Sequence, residues 1–81
     1  MTAKEAISLI LENQHEPALN WAINYAIEAQ NMDENSNDFR VQCIYIVNNI
    51  SKWRAKKGHD NSMKAKIKEA RAALKEAGGI K

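Results

Sequence analysis

The stretch from Pro17 to Gln30 reads PALNWAINYAIEAQ, and its polar residues Asn20, Asn24 and Glu28 fall four apart. On a helix that spacing draws one narrow polar strip. Ala18, Leu19, Trp21, Ala22, Ile23, Tyr25, Ala26, Ile27 and Ala29 fill almost all of the remaining circumference. A helix apolar over most of its girth has to be covered on more than one side. A second segment, about 39–55, has the same character. Phe39, Cys43, Ile46, Val47, Ile50 and Trp53 share one face of it, while Val41, Ile44 and Tyr45 lie towards the other. A chain of 81 residues that holds two such segments has little choice but to pack further helices around them.

The flanking sequence supplies those helices. Thr2 and Glu5 have the T-x-x-E spacing of a capping box. Ala3, Ala6, Ile7, Ile10 and Leu11 then line one face of a helix over about 3–13, with Leu9 outside the stripe. Pro17 suits the first turn of a new helix over about 17–30. Asn37 or Asp38 can cap the third helix, and Ser62 the fourth, over about 63–77. Gly78-Gly79 is a helix stop. The fourth helix carries a thin seam of Met63, Ile67, Ala70, Leu74 and Ala77, so it is expected to be the least firmly docked. One Pro and three Gly leave little material for β-turns. The expected fold is a single all-α domain over 1–81, a compact antiparallel four-helix bundle with the second and third helices central. In a chain this small the core leaves only about 3–5 kcal/mol of net stability.

Function classes narrow next. Cys43 is the single cysteine, which forbids an internal disulfide. With no apolar leader in view, it points to the reducing cytoplasm. No run approaches the roughly 20 apolar residues of a membrane span. His15 and His59 lie in expected loops, and no CxxC, HExxH or Gly-rich phosphate loop is present. No catalytic residue, cofactor or metal is therefore assigned, and the chain is read as not an enzyme. Cys43 reads as a small buried apolar residue.

Charge is distributed unevenly. Residues 1–50 hold Lys4 and Arg40 against seven acids, and residues 51–81 hold ten Lys or Arg against Asp60, Glu69 and Glu76. Lys64, Lys68, Arg71 and Lys75 form a ridge on one flank of the fourth helix, with Lys52, Arg54, Lys56 and Lys57 just upstream. The ridge can be neutralised by acids of the first two helices, meet an acidic protein, or contact nucleic-acid phosphates. The surplus apolar side of the third helix, Val41, Ile44 and Tyr45, with Trp53 and Arg54 at its end, is a candidate protein interface. Trp53 also suits a second role, closing the rim of the bundle. Asn48 and Asn49, with Asn20 and Asn24, can fix helix register or line a polar pocket.

Read together, ALNWAINYA (18–26) and IYIVNNISKWRAKKG (44–58) make the chain resemble short all-helical proteins encoded by phages and prophages, most of them of unknown function. From Ile44 to Leu74, the order of helix, Trp-Arg, Lys-Lys-Gly and helix is similar to the C-terminal part of small phage proteins labelled nucleotide kinases. The histidine-rich N-terminal segment of that group is missing here, so no activity and no site residue carries over. The resemblance implies a cytoplasmic accessory role. The expected function is a non-enzymatic, phage-type accessory protein acting as a small protein-interaction module that binds another protein or itself. The alternative is a weak nucleic-acid binder that uses the basic ridge.

Overall fold

A computed structural model describes residues 1–56, 58 and 61–79. Lys57, His59 and Asp60, which the sequence places in a basic loop, lie outside the described residues, as do residues 80 and 81. The described residues form four α-helices, α1 (Ala3–Glu12), α2 (Ile23–Ala29), α3 (Asn37–Asn48) and α4 (Asn61–Gly78), with a 3-10 turn at Pro17–Leu19 before α2. Among the described residues there is no strand. The architecture is the expected all-α four-helix bundle.

α1 begins as the sequence predicts. Glu5 N donates to Thr2 Oγ1 at 3.1 Å, and Thr2 N donates to Glu5 Oε1 at 3.0 Å. Two backbone donors at the helix start are thus satisfied reciprocally. Its end is made by Asn13. The side-chain Nδ2 donates to Leu9 O at 2.8 Å, and the backbone N–H of Asn13 turns to Ile10 O at 3.0 Å. The amide occupies the carbonyl that the next helical N–H would need, so the helix stops.

α3 ends by the same device. Asn49 Nδ2 donates to Tyr45 O at 2.7 Å, while Asn49 N bonds Ile46 O at 3.0 Å. The helix expected to run to about residue 55 therefore closes at Asn48. Its start also differs from expectation, because Ser36 is the cap, accepting from Phe39 N at 3.1 Å, with Asn37 and Asp38 already inside the helix. Beyond Asn49 the chain turns back, with Trp53 N bonded to Ile50 O at 3.0 Å, and both Ile50 and Trp53 are buried.

The largest departure is in the second segment. Leu19 N bonds Glu16 O, Asn20 N bonds Pro17 O and Ala22 N bonds Leu19 O, each three residues back. That is a 3-10 pitch, which stacks every third residue on one side. Glu16, Leu19 and Ala22 all fall on that side and all are buried. From Ala22 the spacing changes to the α period, and Ala22, Ala26 and Ala29 continue the buried face. Three alanines are enough to seat α2, and the bulkier residues are left on its flanks. Trp21, expected to be sandwiched, is 80 % exposed, and Ile23 is only half-buried.

Packing is cyclic. α1 and α3 each lie against both α2 and α4, so the second and third segments are not privileged. The expectation of a weakly docked fourth helix is overturned too: α4 makes the two most extensive helix–helix contacts, with α3 and with α1. Its buried face, Ile67, Ala70, Ala73, Leu74 and Gly78, is broader than the predicted seam, and it starts at Asn61, which puts Ser62 inside the helix. Gly78 lies so near Ile44 that a Cβ there would sit 2.9 Å from Ile44 Cγ1. Gly79, at φ 74°, takes the left-handed conformation that ends the helix.

Neighbouring helices run antiparallel. Lys4, in the first turn of α1, reaches the carbonyls of Ala29, Gln30 and Met32 at the end of α2. Tyr25 of α2 stacks on Tyr45 of α3 at 5.2 Å, while Trp21, ahead of α2, lies beside Asn48 and Asn49 at the end of α3. Between these helices sit Ile7, Ile10, Leu19, Phe39, Cys43, Ile46, Ile50, Trp53 and Leu74, all essentially without solvent contact.

Candidate functional site

The residues expected to form an interface are separated by the fold. Trp53 is 1 % exposed and belongs to the core, which is the rim-closing role and not a surface anchor. Ile44 is half-buried against Gly78 of α4, and Val41 is half-buried. Arg54 is exposed, and its Nη1 donates to Ser51 O at 2.6 Å and Trp53 O at 2.9 Å. Tyr45 alone of the five keeps a large apolar area in solvent, at 45 % exposure.

Tyr45 belongs to a different surface from the one expected, a seam along the outer side of α2 and α3. Its ring meets that of Tyr25 at 39°. Next to the pair, Pro17, Ala18, Trp21, Asn48, Asn49, Ser51 and Lys52 enclose a shallow hollow of about 330 Å³. Asn20 and Asn24 are exposed and do not line it, so the two asparagine pairs do not meet in a shared pocket. The sequence carried one sign of this seam. Trp21 and Tyr25 are four apart and flank a face that Leu19 and three alanines already fill.

The basic ridge is also rearranged. Arg71 is half-buried, and its Nη2 donates to the carbonyls of Trp53, at very short range, and Ile50, at 3.5 Å. It thereby ties α4 to the irregular segment after α3. Burial, and then the nearby charge of Arg54, hold its guanidinium pKa below the usual arginine range. Its Nε is shut off from solvent without a hydrogen-bond partner among the described residues. Lys64, Lys68 and Lys75 remain exposed. Lys64 and Lys68 join Arg54 and Arg71 around a cleft of about 340 Å³ floored by Ala55 and Ile67, and Lys75 lies outside it.

Acids of the first two segments do not neutralise this group. Among the described residues no acid is ion-paired with Lys64, Lys68, Arg71 or Lys75. Glu5 and Glu12 instead share a hollow with Lys66, and the buried Glu16 meets Lys56 at 2.8 Å and the exposed His15 at 3.4 Å.

Cys43 is buried, and burial pushes its thiol pKa up to about 11 against the opposing charge of Lys4. A thiol held neutral in this way is a poor nucleophile. Among the described residues no group of three or more His, Cys, Asp or Glu is placed to hold a metal ion, and no helix is long and apolar enough to cross a membrane. Comparison with protein-family models, with curated proteins and with solved structures finds no match for the chain.

Proposed function

We propose that the chain is a non-enzymatic accessory protein of the phage type, cytoplasmic, that works as a small protein-interaction module through the α2–α3 seam. The observation that carries the reading is Trp21, which stands 80 % exposed beside the Tyr25–Tyr45 pair. Tryptophan and tyrosine are the residues most enriched where interfaces concentrate their binding energy. They bring large apolar area with few rotatable bonds, so little side-chain freedom is lost on docking. Asn48, Asn49, Ser51 and Lys52 around the hollow provide the polar rim such a site needs. The partner is a second polypeptide with an apolar side chain to place against Trp21.

The test is photo-crosslinking from position 45 in cells that express the chain, combined with sedimentation of the pure protein. The expected result is a discrete adduct with one other polypeptide, lost in Trp21→Ser, and a monomer in isolation. A concentration-dependent dimer abolished by Trp21→Ser would identify the partner as a second copy. A monomer that gives no Trp21-dependent adduct rejects the reading.

A further inference from the structure

The cleft between α4 and the segment after α3 goes beyond that reading, because it is remote from protein docking in its chemistry. Arg54, Lys64, Lys68 and Arg71 converge on one hollow of about 340 Å³, and among the described residues no acid lines it. Like charges gathered with no counter-charge among the described residues repel one another, and the partial burial of Arg71 makes the repulsion harder to screen. Arg71 is held in place by the Trp53 and Ile50 carbonyls, so it cannot swing away to relieve the crowding. The bonds of Arg54 to Ser51 O and Trp53 O use Nη1 alone, which leaves its other donors outside those bonds. We propose that this cleft binds a small phosphate monoester, with the phosphate among the four cations and its organic group over Ala55 and Ile67.

Three features select this ligand class. A phosphate dianion accepts several charge-assisted hydrogen bonds at once, and a guanidinium fork matches its oxygens. The apolar floor suits an organic substituent better than it suits a bare ion. The cations also form a spot and not a track. A nucleic-acid backbone presents charges in a line, whereas Lys75, which would extend the line along α4, lies outside the cleft.

The experiment follows amide chemical shifts of the full chain at low salt during titration with phenyl phosphate, inorganic phosphate and a single-stranded oligonucleotide. Phenyl phosphate is expected to bind more tightly than inorganic phosphate, with shifts centred on Arg54, Ala55 and the Lys64 to Arg71 turns. Lys64→Ser with Lys68→Ser, both at exposed positions, is expected to weaken binding by roughly tenfold or more, while Lys75→Ser leaves it unchanged. No saturable shift by about 10 mM phenyl phosphate overturns the proposal. So does binding that survives the double substitution. Oligonucleotide binding that depends equally on Lys75, without phenyl phosphate binding, also overturns it and assigns the surface to polyanions.

Discussion

Lys4 shows how much a single side chain can hold in a domain this small. Its ammonium donates to Ala29 O at 3.1 Å, Gln30 O at 2.9 Å and Met32 O at 2.6 Å, and it lies 5.2 Å from the centre of the Phe39 ring. Those carbonyls belong to the end of α2 and the turn after it, where the helix dipole is negative and the helical ladder has ended, with only Met32 N turning back to Ala29 O at 3.1 Å. Lys4→Met keeps the length of the side chain and removes the donors. It should cost about 1.5–3 kcal/mol, the range for hydrogen bonds to a charged group, read from urea melts. Cys43 offers a second test. Its thiol is held up to about 11 in the fold against 9.0 as the ordinary value, so the folded chain keeps a proton that the unfolded chain gives up first. Stability is therefore at its full value below pH 9.0 and falls as the pH rises towards about 11. A Cys43→Ala variant should show a shallower loss over that window in parallel melts.

Among the elements, helix ends carry more information than helix faces. The helix-period pattern identified all four helices and most of the core, because burying an apolar stripe is what holds a short helix in place. It placed the end of α3 seven residues too late, at about 55 against Asn48. An asparagine whose amide takes the carbonyl four residues back leaves no mark on the apolar pattern, and Trp53 kept that pattern going after the helix had stopped. The 3-10 turn was missed for a related reason: Glu16, Leu19 and Ala22 share a face only at three residues per turn, and Glu16 as a buried member is not apolar. The α3–α4 contact yields a direct test. Gly78→Ala gives a better helix former but sets a Cβ 2.9 Å from Ile44 Cγ1 and 3.4 Å from Ile44 N. Overpacking should win, with a loss of about 1–3 kcal/mol. Combined with Ile44→Ala, the same change should cost much less than it does alone, and a double-mutant cycle measures the difference.

For the whole molecule, the margin is narrow. A domain of this size holds only about 3–5 kcal/mol, and emptying the Trp53 site removes about 3–5 kcal/mol for Trp→Ala. Trp53→Ala should therefore lack cooperative unfolding by circular dichroism at 25 °C. Trp21→Ser should change the unfolding free energy by less than about 0.5 kcal/mol in urea melts, since that side chain contributes surface and little packing. The candidate sites were less legible in the sequence than the fold. Lys64, Lys68 and Arg71 could be read as neighbours from their spacing, but Arg54 joins them only because the chain folds back after Asn49. Tyr25 and Tyr45 meet only because α2 runs antiparallel to α3. Such pairings come from the path of the chain between helices, which helical periodicity does not encode.

One further consequence follows from where the two indoles sit, one shut inside at 1 % exposure and the other in water at 80 %. They make the protein its own optical instrument. Emission from Trp53 should be blue and shielded from acrylamide until the bundle opens, while Trp21 emits to the red and is quenched throughout. A blue shift in the red component alone would signal that something has settled on the seam, with the interior undisturbed.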